Sequence, residues 1–160
     1  MAEEKRKKLS LIVFSGDLDK LFAAFTIATG AAASGMDVVM FFTFWGLRAL
    51  KKKRATGRSL FGRMLGRMYG GDIERATPSR MSFGGVGRWM FKKMMKAHHV
   101  TPLAELRKTA MDLGVKLLPC QMSMEIMEIR QEDLIDGVEG PCGVATMLEI
   151  SDRSRQTLFI

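Results

Sequence analysis

Two short apolar runs with a helical stretch between them open the chain. Leu9-Ser-Leu-Ile-Val-Phe14 ends at the polar turn Ser15-Gly16-Asp17, the pattern of a buried strand followed by a turn. Leu18 to Ser34 is rich in Ala, Leu and Phe; Asp17 or Asp19 is placed to cap this helix and Gly35 to stop it. Asp37-Val-Val-Met-Phe-Phe-Thr43 reads as a second buried strand. A β-α-β unit of this kind has parallel strands and a right-handed crossover.

The alternation then breaks. Leu60, Phe61, Met64, Leu65, Met68 and Tyr69 recur at helical spacing, with Arg58, Arg63 and Arg67 elsewhere on the wheel. Gly70-Gly71 ends that helix, and a Gly/Pro/Ser-rich link runs from Thr77 to Gly87. A second basic helix places Met90, Phe91, Met94 and Met95 on one face, among Arg88, Lys92, Lys93 and Lys96. The rhythm resumes at Thr101-Pro102, which opens a helix reaching Leu113, with Thr as its cap. Val115–Pro119 is a third strand, Ser123–Ile129 a short helix, Gln131–Ile135 a further helical turn, and a short strand lies around Val138. Val144–Ser151 is helical and Gln156–Ile160 is a terminal strand. The whole predicts one α/β domain over residues 1–160: a three-layer sandwich, mostly parallel, with a basic helical insertion at about 51–98.

Charge sharpens this division. The net charge is +8, yet residues 51–98 alone hold 13 Lys and Arg against Asp72 and Glu74, so the remainder is acidic on balance. The insertion's Met-rich faces suit three roles: docking an acidic protein, lying on an anionic membrane surface, or covering the core or a subunit interface. Few aromatics for stacking and no binding motif argue against nucleic acid. The longest uncharged stretch, Leu21–Met36, is short for a membrane span, and Leu9–Phe14 is too short an apolar run for a signal peptide. These features, with only two cysteines, predict a reducing cytoplasm. The apolar residues on several sides of the helical stretch Leu21–Met36 suggest cover by another subunit or by the insertion.

Parallel sheets bind ligands at the carboxyl ends of their strands. Four segments converge there: Ser15-Gly16-Asp17, Thr43-Phe44-Trp45, Cys120-Gln121-Met122-Ser123 and Pro141-Cys142-Gly143. Cys120 is the sharpest candidate, because a cysteine just before a helix meets unpaired N–H groups that favour the nucleophilic thiolate. Position alone does not separate a reactive Cys120 from a buried, inert one. Ser15, Gly16 and Asp17 fit an anion-binding turn or an ordinary helix cap. Trp45 fits a pocket wall or simple packing. His98, His99 and the two cysteines lack zinc-site spacing, so no metal is expected. Ser82–Gly87 follows no strand and is read as a link, not a dinucleotide fingerprint.

Three segments together resemble the DsrE/DsrF family of sulfur-relay proteins, in particular its branch with a long basic insertion. They are Leu11-Ile-Val-Phe-Ser-Gly-Asp-Leu-Asp-Lys20, Phe41-Phe-Thr-Phe-Trp-Gly46, and Cys120 to Ile129 running on through Asp136–Glu139 to Gly143–Thr146. The resemblance implies a flavodoxin-like sheet, assembly into oligomers and a persulfide-carrying cysteine at Cys120. It also implies partners among small sulfur carriers or rhodanese-like donors, with no cofactor. Gln121, Met122, Ser123, Ser15, Gly16, Asp17, Thr43 and Trp45 would then form the pocket around the thiolate. Cys142 departs from the family pattern, and stands as a second thiol or as a bystander. The competing readings are a binding module for a small anion or nucleotide with a structural Cys120, and a membrane-surface adaptor acting through the insertion.

Overall fold

The computed structural model describes residues 6–54, 56–68, 71–80 and 83–160. Tyr69, Gly70, Ser82 and the first five residues, all covered by the expectations above, lie outside the described residues, as do the side chains of Leu65, Arg67 and Met68.

Four parallel strands form the sheet: β1 (Lys8–Val13), β2 (Asp37–Phe42), β3 (Lys116–Pro119) and β4 (Gln156–Phe159), in the order β3-β2-β1-β4. Strand alternation sorts their side chains onto two faces. Leu9, Leu11 and Val13 of β1, Val38, Met40 and Phe42 of β2, and Leu117 of β3 join the main core. There they meet α1 (Leu18–Ala33) and α4 (Leu103–Asp112). Ile12, Phe41 and Leu118 face the other way, toward α6 (Val144–Asp152) and its Met147. Helices therefore cover both faces, as the alternation predicts.

α1 turns Leu21, Ala24, Phe25 and Ala28 inward at 0% exposure. Its apolar breadth is met by the sheet and by α4 alongside it. Asp17 is its N-cap residue, but no side chain caps the helix. α4 starts at Leu103 with Pro102, not Thr101, at the cap.

The expected strand around Val138 is absent, and a single parallel bridge between Cys120 and Cys142 stands in its place. Gly137 adopts a positive φ of 83° just before Val138, and the segment makes one further bond to β3, from the Glu139 amide to Leu117 O at 3.0 Å. The helix after Cys120, α5, runs over Gln121–Ile126, earlier than the periodicity suggested.

The insertion carries α2 (Leu60–Met68) and α3 (Val86–Ala97). Among the described side chains its apolar faces do not cover the core: Leu60, Phe61 and Met64 on α2, and Trp89, Met90, Phe91 and Met94 on α3, are exposed. Ile73 and Ala76, fully buried, anchor the insertion instead. Polar ties add to them. Glu128 accepts hydrogen bonds from the Ser59 hydroxyl at 2.6 Å and from the amides of Arg58 and Ser59. Asp19 accepts from the Ser79 amide at 2.9 Å and from its hydroxyl at 2.5 Å. Among the described residues no helix is long and apolar enough to cross a membrane.

Candidate functional site

β3 stops at Pro119 because the chain there gives up pairing with β2 after one last bond, from the Cys120 amide to the Phe42 carbonyl at 2.8 Å. The next contacts are with the 142 segment. The Cys142 amide donates to Pro119 O and the Gln121 amide donates to Cys142 O, both at 3.0 Å. These bonds hold the two cysteines opposite one another at the carboxyl edge of the sheet, and both are free thiols.

Alternation from Leu118 places Cys120 on the α6 face. It packs with Phe41 and Met147, beside Ile12, Leu118 and Cys142, and is 1% exposed. Cys142 is half-buried. Burial, and then the neighbouring Cys120, push the Cys142 thiol above its ordinary value of 9.0, so it stays protonated at neutral pH. Cys120 is the N-cap residue of α5. The Gln121 amide is already committed to Cys142, which leaves Met122 and Ser123 as the first-turn amides that the helix cannot itself satisfy.

Ser123 is fully buried, and its hydroxyl is bonded to the Thr43 hydroxyl at 2.8 Å. This bond joins the end of β2 to the helix that Cys120 caps. Gln121 and Met122 point outward: the Gln121 side-chain amide donates to Glu125 at 3.0 Å, and Met122 is 49% exposed.

The remaining expected residues assemble elsewhere. Ser15, Gly16, Asp17 and Trp45 border a cavity of ≈ 200 Å³, together with Phe14, Lys20, Arg48, Lys51, Thr56, Met127 and Ile129. Within the turn, the Ser15 hydroxyl donates to Asp17 Oδ2 at 2.9 Å, and the Asp17 amide donates to Ser15 Oγ at 3.1 Å. Lys20 lies 3.3 Å from the same carboxylate. The turn sits tightly on the 3₁₀ segment Phe44–Leu50: a Cβ on Gly16 would lie 2.5 Å from the Trp45 carbonyl oxygen. The Gly46 amide bonds back to Phe14 O at 2.8 Å.

Cys120 does not border this cavity, and neither do His98 and His99. A single pocket around the thiol was the expectation, and the chain instead forms two groups linked through Thr43 and Ser123. The split follows from the parity of β3, which turns Cys120 under α6 while the loops after β1 and β2 open beside α1. Lys20, Arg48, Lys51 and Thr56 were not foreseen as site residues. The signal was present in the sequence, since Arg48 and Lys51 stand at helical spacing just after Trp45, but Lys51 also begins the basic run and was counted with it.

A parallel sheet sandwiched by helices, with Cys120 closing a strand end, defines the molecule as an α/β protein of the DsrE-like fold. The ychN protein of E. coli superposes with a TM-score of 0.57 over 96% of this chain and 99% of its own, at 11% identity. MTH1491 of Methanobacterium thermoautotrophicum gives 0.54 over 96% and 99%, at 9% identity. The chain belongs to the DsrE/DsrF/DrsH-like family, whose profile matches residues 5–159. YrkE of Bacillus subtilis is 36% identical over 159 residues, covering 98% of this chain and 99% of that one. The sulfur carrier protein DsrE2 of Allochromatium vinosum is 33% identical over 160 residues, with the same coverage.

Proposed function

We propose that this protein is a cytoplasmic sulfur carrier that accepts sulfane sulfur as a persulfide on Cys120 and passes it to the thiol of a partner protein. The observation that carries the reading is the placement of Cys120: a free thiol at a strand's carboxyl end, capping α5 and facing a second free thiol across a single bridge. Membership of the DsrE-like family supports it, as does 33% identity to a protein named as a sulfur carrier.

The chemistry needs no external oxidant or reductant. The Cys120 thiolate attacks the outer sulfur of a donor persulfide; a Cys120 S–S bond forms, the donor S–S bond breaks, and the donor cysteine leaves as a thiolate. In the second half, the acceptor thiolate attacks the outer sulfur and Cys120 leaves. The Met122 and Ser123 amides, which α5 leaves unsatisfied, are the donors available to charge developing on Cys120; at rest its thiol makes no cap hydrogen bond to the helix. Met147, Phe41 and Cys142 keep water from the resting persulfide, so loading and release each require α6 or the 142 segment to move aside.

A partner has a surface to meet there. The two helices beside Cys120 expose Met122 and Ile126 on α5, and Val144 and Leu148 on α6. The same apolar surface suits a second copy of the chain, in keeping with a homo-oligomer.

The test is sulfur loading from polysulfide in single-cysteine variants. Cys120→Ser abolishes loading and Cys142→Ser retains it. Equal loading of the two variants refutes the assignment of Cys120 as the carrier.

A further inference from the structure

Lys51 is 4% exposed, yet it borders the cavity at the Ser15–Asp17 turn. Its Nζ donates to the Thr56 hydroxyl at 3.0 Å. It takes part in no ion pair among the described residues. An ammonium has three protons to place, and the Thr56 oxygen takes one of them. Burial pushes its pKa down, and Arg48 pushes it further; Asp133 opposes both. A buried cation held in this way is costly unless a counter-charge reaches it.

The rest of the wall has the same sign. Lys20 and Arg48 border the cavity with Lys51, and the one acid there, Asp17, is already engaged by Lys20 and by the Ser15 hydroxyl. Three cationic side chains and one carboxylate thus border the cavity. Phe14, Met127 and Ile129 supply apolar wall, which limits water and strengthens charge interactions inside. At ≈ 200 Å³ the space falls below the roughly 300–1,000 Å³ of sites for drug-sized ligands. It fits a small ion more closely than a whole nucleotide.

We propose that this cavity is a binding site for a small tetrahedral oxoanion of the sulfate or phosphate type, held by Lys51 with Lys20 and Arg48. Cys120 does not border the cavity, so the site does not depend on persulfide chemistry at that thiol.

The test is isothermal titration of the full chain with sodium sulfate, and separately with sodium phosphate, in chloride buffer at constant ionic strength. Saturable one-to-one binding of at least one anion is expected. A hydrogen bond to a charged group contributes ~1.5–3 kcal/mol, so Lys51→Met weakens binding about tenfold or more. Circular dichroism checks that this variant is folded, which is expected because it removes a buried charge. Lys51→Arg, which keeps that charge, retains measurable binding. Selenate soaked into wild-type crystals gives a reading that needs no variant, with an anomalous peak expected beside Lys51. Absence of saturable heat with both anions, wild-type affinity in Lys51→Met, or selenate bound only outside the cavity overturns the proposal.

Discussion

Met147 is the one fully buried side chain of α6, and it packs directly on the cluster that holds Cys120. Met147→Ala leaves a void there. Core Met→Ala truncations cost ~2–5 kcal/mol, the transfer of the lost atoms plus the cavity left behind. Val144 and Leu148 are more than half exposed and Ile150 is only partly buried, so each does less than Met147 to hold the helix down. Most of the loss should therefore fall on the attachment of α6. If local opening becomes easier by ~2 kcal/mol, the open fraction rises about 30-fold. The assay is quenched alkylation with iodoacetamide under native conditions, followed by peptide mapping to separate Cys120 from Cys142. A urea titration of the same protein gives the global loss. Cys120 in Met147→Ala should be alkylated tens of times faster than in wild type. An unchanged Cys120 rate, alongside a measured loss of stability, would refute the idea that α6 gates the thiol.

Thr43→Val removes a partner from the fully buried Ser123 hydroxyl and should cost ~1–3 kcal/mol in urea unfolding; a change below a few tenths would mean that the hydroxyl finds another acceptor. Gly16→Ala forces a methyl against the Trp45 carbonyl, which is backbone and cannot swing away, so a loss of ~1–3 kcal/mol is expected; a neutral effect would contradict the tight packing of the turn on the 3₁₀ segment. Lys51 has a folded pKa below its unfolded value of 10.5 because of burial and then Arg48. Between those two values the unfolded chain binds more protons, so stability rises with pH across that window. Wild type should gain on Lys51→Met as pH climbs toward 10.5, when both are measured by thermal unfolding without oxoanions; parallel profiles would mean that the ammonium is not desolvated. Alkylation of Cys142 should show a midpoint above 9.0, and a midpoint below it would contradict the burial assigned to that thiol.

The two inner strands were legible because they are buried on both faces and read as continuous apolar runs, Leu9–Phe14 and Asp37–Thr43, whereas the edge strand β4 is largely exposed. Cys120 was legible as a strand end before a helix. Its depth was not. Counting by twos from Leu118 gives the face on which it lies, but only the structure shows that Met147 closes over it. The Cys142 segment misled for a related reason: Val138 looks like a strand residue, while Gly137 just before it turns at a positive φ and the bridge forms at Cys142 instead. Lys51 was hidden by its neighbours. Lys52, Lys53 and Arg54 point outward into ion pairs with Asp136, Glu74 and Asp133, and residue type alone does not distinguish the one lysine of the run that turns inward. Residues 60–68 and 86–97 form amphipathic helices as their periodicity predicts, but periodicity does not say whether the chain's own core meets such a face, and for the described side chains named above it does not.

Whether Cys120 carries sulfur is tested by intact-protein mass spectrometry of the wild-type chain after incubation with thiosulfate and a rhodanese, followed by peptide mapping. The mass of one added sulfur atom is expected on the Cys120 peptide, released by an added acceptor thiol. A protein that gains no sulfur from this donor or from polysulfide, or gains it only on Cys142, would contradict the assignment of Cys120 as the carrier.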